Sequence, residues 1–248
     1  MENIETLTAA VLFAAIFLFG GKLHKPAWIS RHHRKALSFG AGVSVAYVFI
    51  HLLPELAAAR DVFSKITEHL SLPFPEHRVY LSAMLGFIVF YGFDHMVAWS
   101  RKTKLRSAPA ESDGDTIFWL HIGGFAVYVW LVSYLMVRSI EEETVPIALY
   151  AVAMGFHFLL LEHSLRHEHT SAFDRAGRYV LALAPLAGWI IGVAVELHKP
   201  MVITLLGIIS GAIIMNTLIM ELPKEKEGRF WPFLLGGILY GAILLLLG

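Results

Sequence analysis

Eight apolar segments run through the chain, each close to the roughly 20 helical residues that span a bilayer core. They lie near 4–20, 36–59, 79–99, 116–138, 145–165, 179–198, 201–222 and 231–247. In lipid, every backbone N–H and C=O must be satisfied within the protein, and a helix does this within a single segment. The connections are short, and none reads as a separate soluble domain. The expected fold class is therefore all-α: one polytopic membrane domain over residues 1–248 with eight transmembrane helices. Composition agrees, since 56% of the 248 residues are hydrophobic and only 16% charged, too apolar for a soluble globule.

Basic residues orient the spans. The loops after spans 1, 3, 5 and 7 hold fifteen of the twenty lysines and arginines. Cytoplasmic loops collect such residues, so both termini are expected outside a cell membrane. Trp99, Trp119 and Trp231 then fall at the inner interface as an aromatic belt. The 60–78 connection contains SLPFPEH, whose two prolines exclude regular helix there, and 100–115 is charged and reads as a loop.

Small residues recur four apart in spans 6, 7 and 8: Gly188/Gly192, Gly207/Gly211 and Gly237/Gly241. Such pairs admit close helix contacts, so these three spans are expected to pack as one tight group. Span 2 ends HLLPEL and span 7 ends MELPKE, on opposite membrane faces. Those endings suggest that spans 1–3 and 6–8 are inverted repeats around a central pair, a 3+2+3 arrangement common among transporters.

With no cysteine and thirteen histidines, any transition-metal site must use imidazole, carboxylate, amide or water. A formal net charge of zero gives no reason to expect nucleic acid. In SVAYVFIHLLPE, residues Ser44, Tyr47, His51 and Glu55 form a polar stripe at helical spacing, and Pro54 frees the carbonyl of Ile50. His51 and Glu55 can bind a cation there, or they can cap a helix at the interface. Ionisable residues inside the bilayer are costly and usually serve a purpose. His157 lies near the midplane, with His121, Glu162 and His163 toward the inner side, level with Asn216, Glu221, Asp94 and His95. Together they read as a ladder of ligands suited to Zn²⁺. His157 and Glu162 are five positions apart, about 140° around a helix, so one undistorted face cannot hold both. His163 and His167 form HxxxH, which can share a metal or stand as histidines in a solvated loop.

Eight spans, outside termini and a second span ending His51-x-x-Pro54-Glu55 resemble the ZIP (Zrt/Irt-like) divalent-metal transporters. The resemblance covers the chain in topology and short motifs in sequence. It aligns His121 with the histidine of that family's span-4 HNxxDG motif, while Ile122 and Phe125 replace the Asn and Asp. It places His157 and Glu162 at the ends of the span-5 HExPHE motif, with Phe158, Leu160 and Leu161 replacing the Glu, Pro and His. It implies one metal site from His121, His157 and Glu162, with His51 or Glu55 toward the outer entrance.

The expected function is passage of a divalent cation, Zn²⁺ by donor chemistry, into the cytoplasm, with no enzymatic activity. The expected partners are the metal ion and the lipid bilayer, and a homodimer is compatible with such a chain. The alternatives are a membrane-embedded metal-dependent enzyme acting on lipid through inner-side histidines, and a ZIP-like scaffold that has lost transport.

Overall fold

A computed structural model describes residues 2–22, 27–68, 74, 77–104, 111–138, 146–221 and 229–247. All regular structure among them is helical. α1 (Glu2–Phe19) ends in a 3-10 turn, Gly20–Lys22. α2 (Ala27–Tyr47) passes through a π turn, Val48–Leu52, into α3 (Leu53–Thr67). α4 (Arg78–Lys104) and α5 (Glu111–Val137) follow. α6 (Ile147–Ala172) continues through a second π turn, Phe173–Gly177, into α7 (Arg178–Ala194). α8 (Lys199–Met215) ends in a third, Asn216–Glu221, and α9 (Phe230–Leu247) closes the chain.

Among the described residues six helical stretches are long and apolar enough to cross a membrane, and Asn3–Phe19 is a shorter apolar one. Several boundaries differ from those expected. α3 runs on to Thr67, and much of the 100–115 stretch is helix, because α4 reaches Lys104 and α5 starts at Glu111. Apolar character marks where a helix can meet lipid, and a helix continues past that limit where its charged residues remain solvated. The prolines of SLPFPEH, Pro73 and Pro75, lie outside the described residues.

The largest difference joins the expected spans 145–165 and 179–198. Ile147–Ala194 is one helical stretch of 48 residues. At 1.5 Å per residue a straight helix of that length would measure about 72 Å, over twice the bilayer core. It is broken at Thr170, whose backbone (φ 42°, ψ −111°) is non-helical. Contacts with α5 show the chain reversing there. On α6, the Tyr150 hydroxyl donates to the Val132 carbonyl at 3.4 Å and His169 meets His121, so α6 runs antiparallel to α5. On α7, Gly177 lies against Ile122 and Gly192 against Val137, so α7 runs parallel to α5.

Glycines set the closest helix pairs. A Cβ on Gly42 would overlap the Phe233 carbonyl oxygen, and one on Gly236 the Phe39 carbonyl oxygen, so α2 and α9 touch at the backbone. α4 and α8 repeat the arrangement through Gly86 against Ile208 and Gly211 against Ala83. Gly188 meets the Trp130 carbonyl, seating α7 on α5. The expected tight group of spans 6, 7 and 8 is thus corrected: their glycines face α5, α4 and α2. A small-residue stripe shows that a partner comes close but does not name it.

Phe13 and Phe17 of α1 pack on Phe158 of α6, while the Trp189 indole of α7 donates to Thr6 at 3.0 Å. Phe90 of α4 meets Phe125 and Tyr128 of α5, making an aromatic centre of Phe13, Phe125, Tyr128 and Phe158. Trp99, Trp119 and Trp231 are all exposed. They sit at the end of the bundle where α4 and α6 finish and α5 and α9 begin.

Candidate metal centre

His121 projects from the first turns of α5 and is 1% exposed. Its Nδ1 lies 2.8 Å from Nε2 of His169 and 3.8 Å from Oε2 of Glu168, both on the last turn of α6. One ligand atom from each of His121, Glu168 and His169 falls within 4.8 Å of the others. Aromatic rings hold the imidazoles in place: His169 packs edge-on against Phe118, at 5.2 Å between centroids, and His121 against Phe125 at 5.0 Å.

Two imidazoles and a carboxylate are a donor set that suits a borderline divalent ion. Tetrahedral bonds of about 2.05 Å to Zn²⁺ separate donor atoms by about 3.3 Å. The two nitrogens must therefore open, and the His121–Glu168 separation close, each by about half an ångström.

Glu168 and His169 are neighbours, and neighbours on a straight helix point about 100° apart. They converge here at the end of α6, directly before the Thr170 break. Spacing rules did not select them. The available signal was the acid–histidine run from Glu162 to His169, here a helical segment where a solvated loop was one expectation. In it His163 is half-buried and outside the three-residue group, and His167 is exposed.

The other expected ligands fall into separate groups. His157 is fully buried and hydrogen-bonds the Tyr128 hydroxyl. Phe125 lies between that pair and His121, 6.2 Å from the Tyr128 ring. Glu162, also fully buried, faces α1 instead: a Cβ on Gly20 would come within 2.7 Å of its carboxyl carbon. Arg166 donates through Nε to Glu162 at 2.7 Å and through Nη1 to Asp174 beyond the break. His157 and Glu162 thus point to different helices.

At the opposite end of the bundle His51 and Glu55 form an i,i+4 pair, 3.6 Å from Nε2 to Oε2, with Tyr47 against the His51 ring at 5.1 Å. The π turn before Pro54 is the local consequence of its missing N–H. His95 is exposed and stacked on Tyr91, and Asp94 is half-buried. Asn216 is fully buried, and its amide makes no hydrogen bond among the described residues. The Glu221 side chain lies outside those described.

Compared with protein-family models, curated proteins and solved structures, the chain matches none. The reading of this centre rests on its own donors.

Proposed function

We propose that the protein is an eight-span, ZIP-like membrane transporter that passes a divalent cation, Zn²⁺ by donor chemistry, into the cytoplasm. Both termini lie outside, and His121, Glu168 and His169 receive the ion at the inner end. The observation that carries the reading is the convergence of those three donors, from two helices, at the mouth of the α5–α6 pair. The pair His51–Glu55 marks the outer entrance, and lone ionisable groups in a bilayer are otherwise hard to account for.

The 3+2+3 arrangement belongs to the same proposal, and the glycine contacts support it. The same interval separates Phe39 from Ile208, Gly42 from Gly211 and Pro54 from Pro223. A second fixed interval separates Ala83 from Phe233 and Gly86 from Gly236. The contacts of α2 with α9 thus map residue by residue onto those of α8 with α4. The π turns before Pro54 and Pro223 fall at matching places.

A second reading, a ZIP-like scaffold that binds metal without moving it, is favoured by the partners of the deeper ligands. Tyr128 holds His157 and Arg166 holds Glu162. Zn²⁺ binding to the purified protein and flux into proteoliposomes separate the two. His121→Asn and His169→Asn should each weaken binding roughly tenfold or more, at least what loss of an outer-shell partner costs. Binding without flux selects the scaffold, and wild-type binding unchanged by both substitutions sinks the centre.

A further inference from the structure

The metal centre and the Thr170 break share a turn of chain. His169 supplies a donor, and the next residue has φ 42°, where a β-branched side chain is strongly disfavoured. Such strain persists only where the surrounding structure imposes it, and it clusters at sites that switch.

The two sides of the break are held differently. Beyond it, α7 is seated on α5 by Gly177, Gly188 and Gly192. His121 belongs to that α5–α7 unit. Before it, the last turn of α6 reaches the unit through His169 and Glu168, against His121. Arg166 and Asp174 cross the break as an ion pair.

The donor separations give the direction of movement. The His121–His169 distance of 2.8 Å lies below the separation a tetrahedral ion requires, and the His121–Glu168 distance of 3.8 Å above it. An ion bound by all three donors would bring both side chains to a common distance from His121. Whatever part of that adjustment the side-chain torsions do not absorb is a twist of the last turn of α6. With α7 clamped to α5, the backbone at Thr170 takes up that twist.

We propose that Thr170 is a metal-responsive hinge: an ion at His121, Glu168 and His169 resets the break between α6 and α7, which couples occupancy of the centre to the packing of the hairpin. The proposal rests on the metal reading of the centre and adds its regulation.

Linkage supplies the test, because a hinge that metal binding must turn affects metal affinity in return. Thr170 is not a donor. Thr170→Gly relieves the strain of the metal-free break, so that resetting it gains less, and should weaken Zn²⁺ binding by roughly fivefold, the low end of measured couplings. Ser171→Gly, an exposed neighbour in the same turn, should leave affinity unchanged. Affinity is measured by chelator competition on the full chain in lipid nanodiscs. Equal affinities in wild type and Thr170→Gly overturn the hinge and leave the centre standing. Equal weakening by Ser171→Gly also overturns it, because general loosening would then suffice. A wild-type protein that binds no Zn²⁺ removes the centre, and the hinge with it.

Discussion

The pairs α2/α9 and α4/α8 are built alike and equipped differently. In each, two glycines let a helix backbone rest on its partner's carbonyls, at matching positions of the chain. One turn onward the likeness stops. Tyr47, His51 and Glu55 of the first pair correspond by the same interval to Asn216, Met220 and Lys224 of the second. One end of the bundle thus carries an imidazole and a carboxylate 3.6 Å apart, while the corresponding positions in sequence are a methionine and a lysine. Backbone packing restricts residues by volume, and few substitutions survive it. Side chains past the π turn are free of that restriction, so the two ends can diverge in charge. A carboxylate at position 55 attracts cations, and the position that corresponds to it in sequence, 224, is a lysine.

The largest expected effect tests the structural half of this comparison. Gly42→Leu and Gly211→Leu each drive a side chain into a partner's backbone, which cannot move aside as a flexible side chain can. Each should lose more than the about 3 kcal/mol that marks the upper range of ordinary overpacking. The measurement is thermal unfolding and folded yield in detergent. If only one substitution is harmful, the two pairs are not equivalent.

A middle-sized effect separates the π turns. Asn216 is fully buried, with an amide that makes no hydrogen bond among the described residues, whereas Tyr47 packs against His51 and Tyr150. Asn216→Leu removes a polar group that costs about 1–3 kcal/mol while unsatisfied, so the variant should gain stability on that scale. A loss instead would mean that the amide has a partner that the folded chain alone does not supply.

The smallest effect concerns charge. Glu55→Gln should raise the half-saturating metal concentration in proteoliposome flux by a few-fold, equivalent to about 1 kcal/mol, and Lys224→Gln should not. Equal sensitivity at the two ends would erase the functional asymmetry while leaving the packing intact.

Much of the fold was legible because lipid allows few solutions. Apolar runs marked the helices, and the glycine stripes of α7, α8 and α9 marked close contacts. Their partners were not legible, since a glycine at one helix surface carries no address. The ends of α3, α4 and α5 were missed because charged residues continue a helix beyond its apolar part. At the site, His121 was visible as an imidazole inside a span. Glu168 and His169 were not, because their meeting with His121 depends on how α6 packs against α5, which spacing along one helix does not reveal. The pairing of Glu162 with Arg166 stood in the sequence at i,i+4 spacing, a relation that helix geometry makes favourable. It was overlooked beside the reading of Glu162 as a ligand.

The break at Thr170 also bears on how the protein is made. Between α6 and α7 the polar run from Arg166 to Arg178 is itself helical, with one bend and one π turn. A ribosome adding 5–20 residues per second takes about 2–10 s to complete these 48 residues. Until then α6 has not made its reversal, and its partners are helices already synthesised, α1, α2 and α5. α7 then meets α5 as well, so one earlier helix serves both arms of the reversal as a common template.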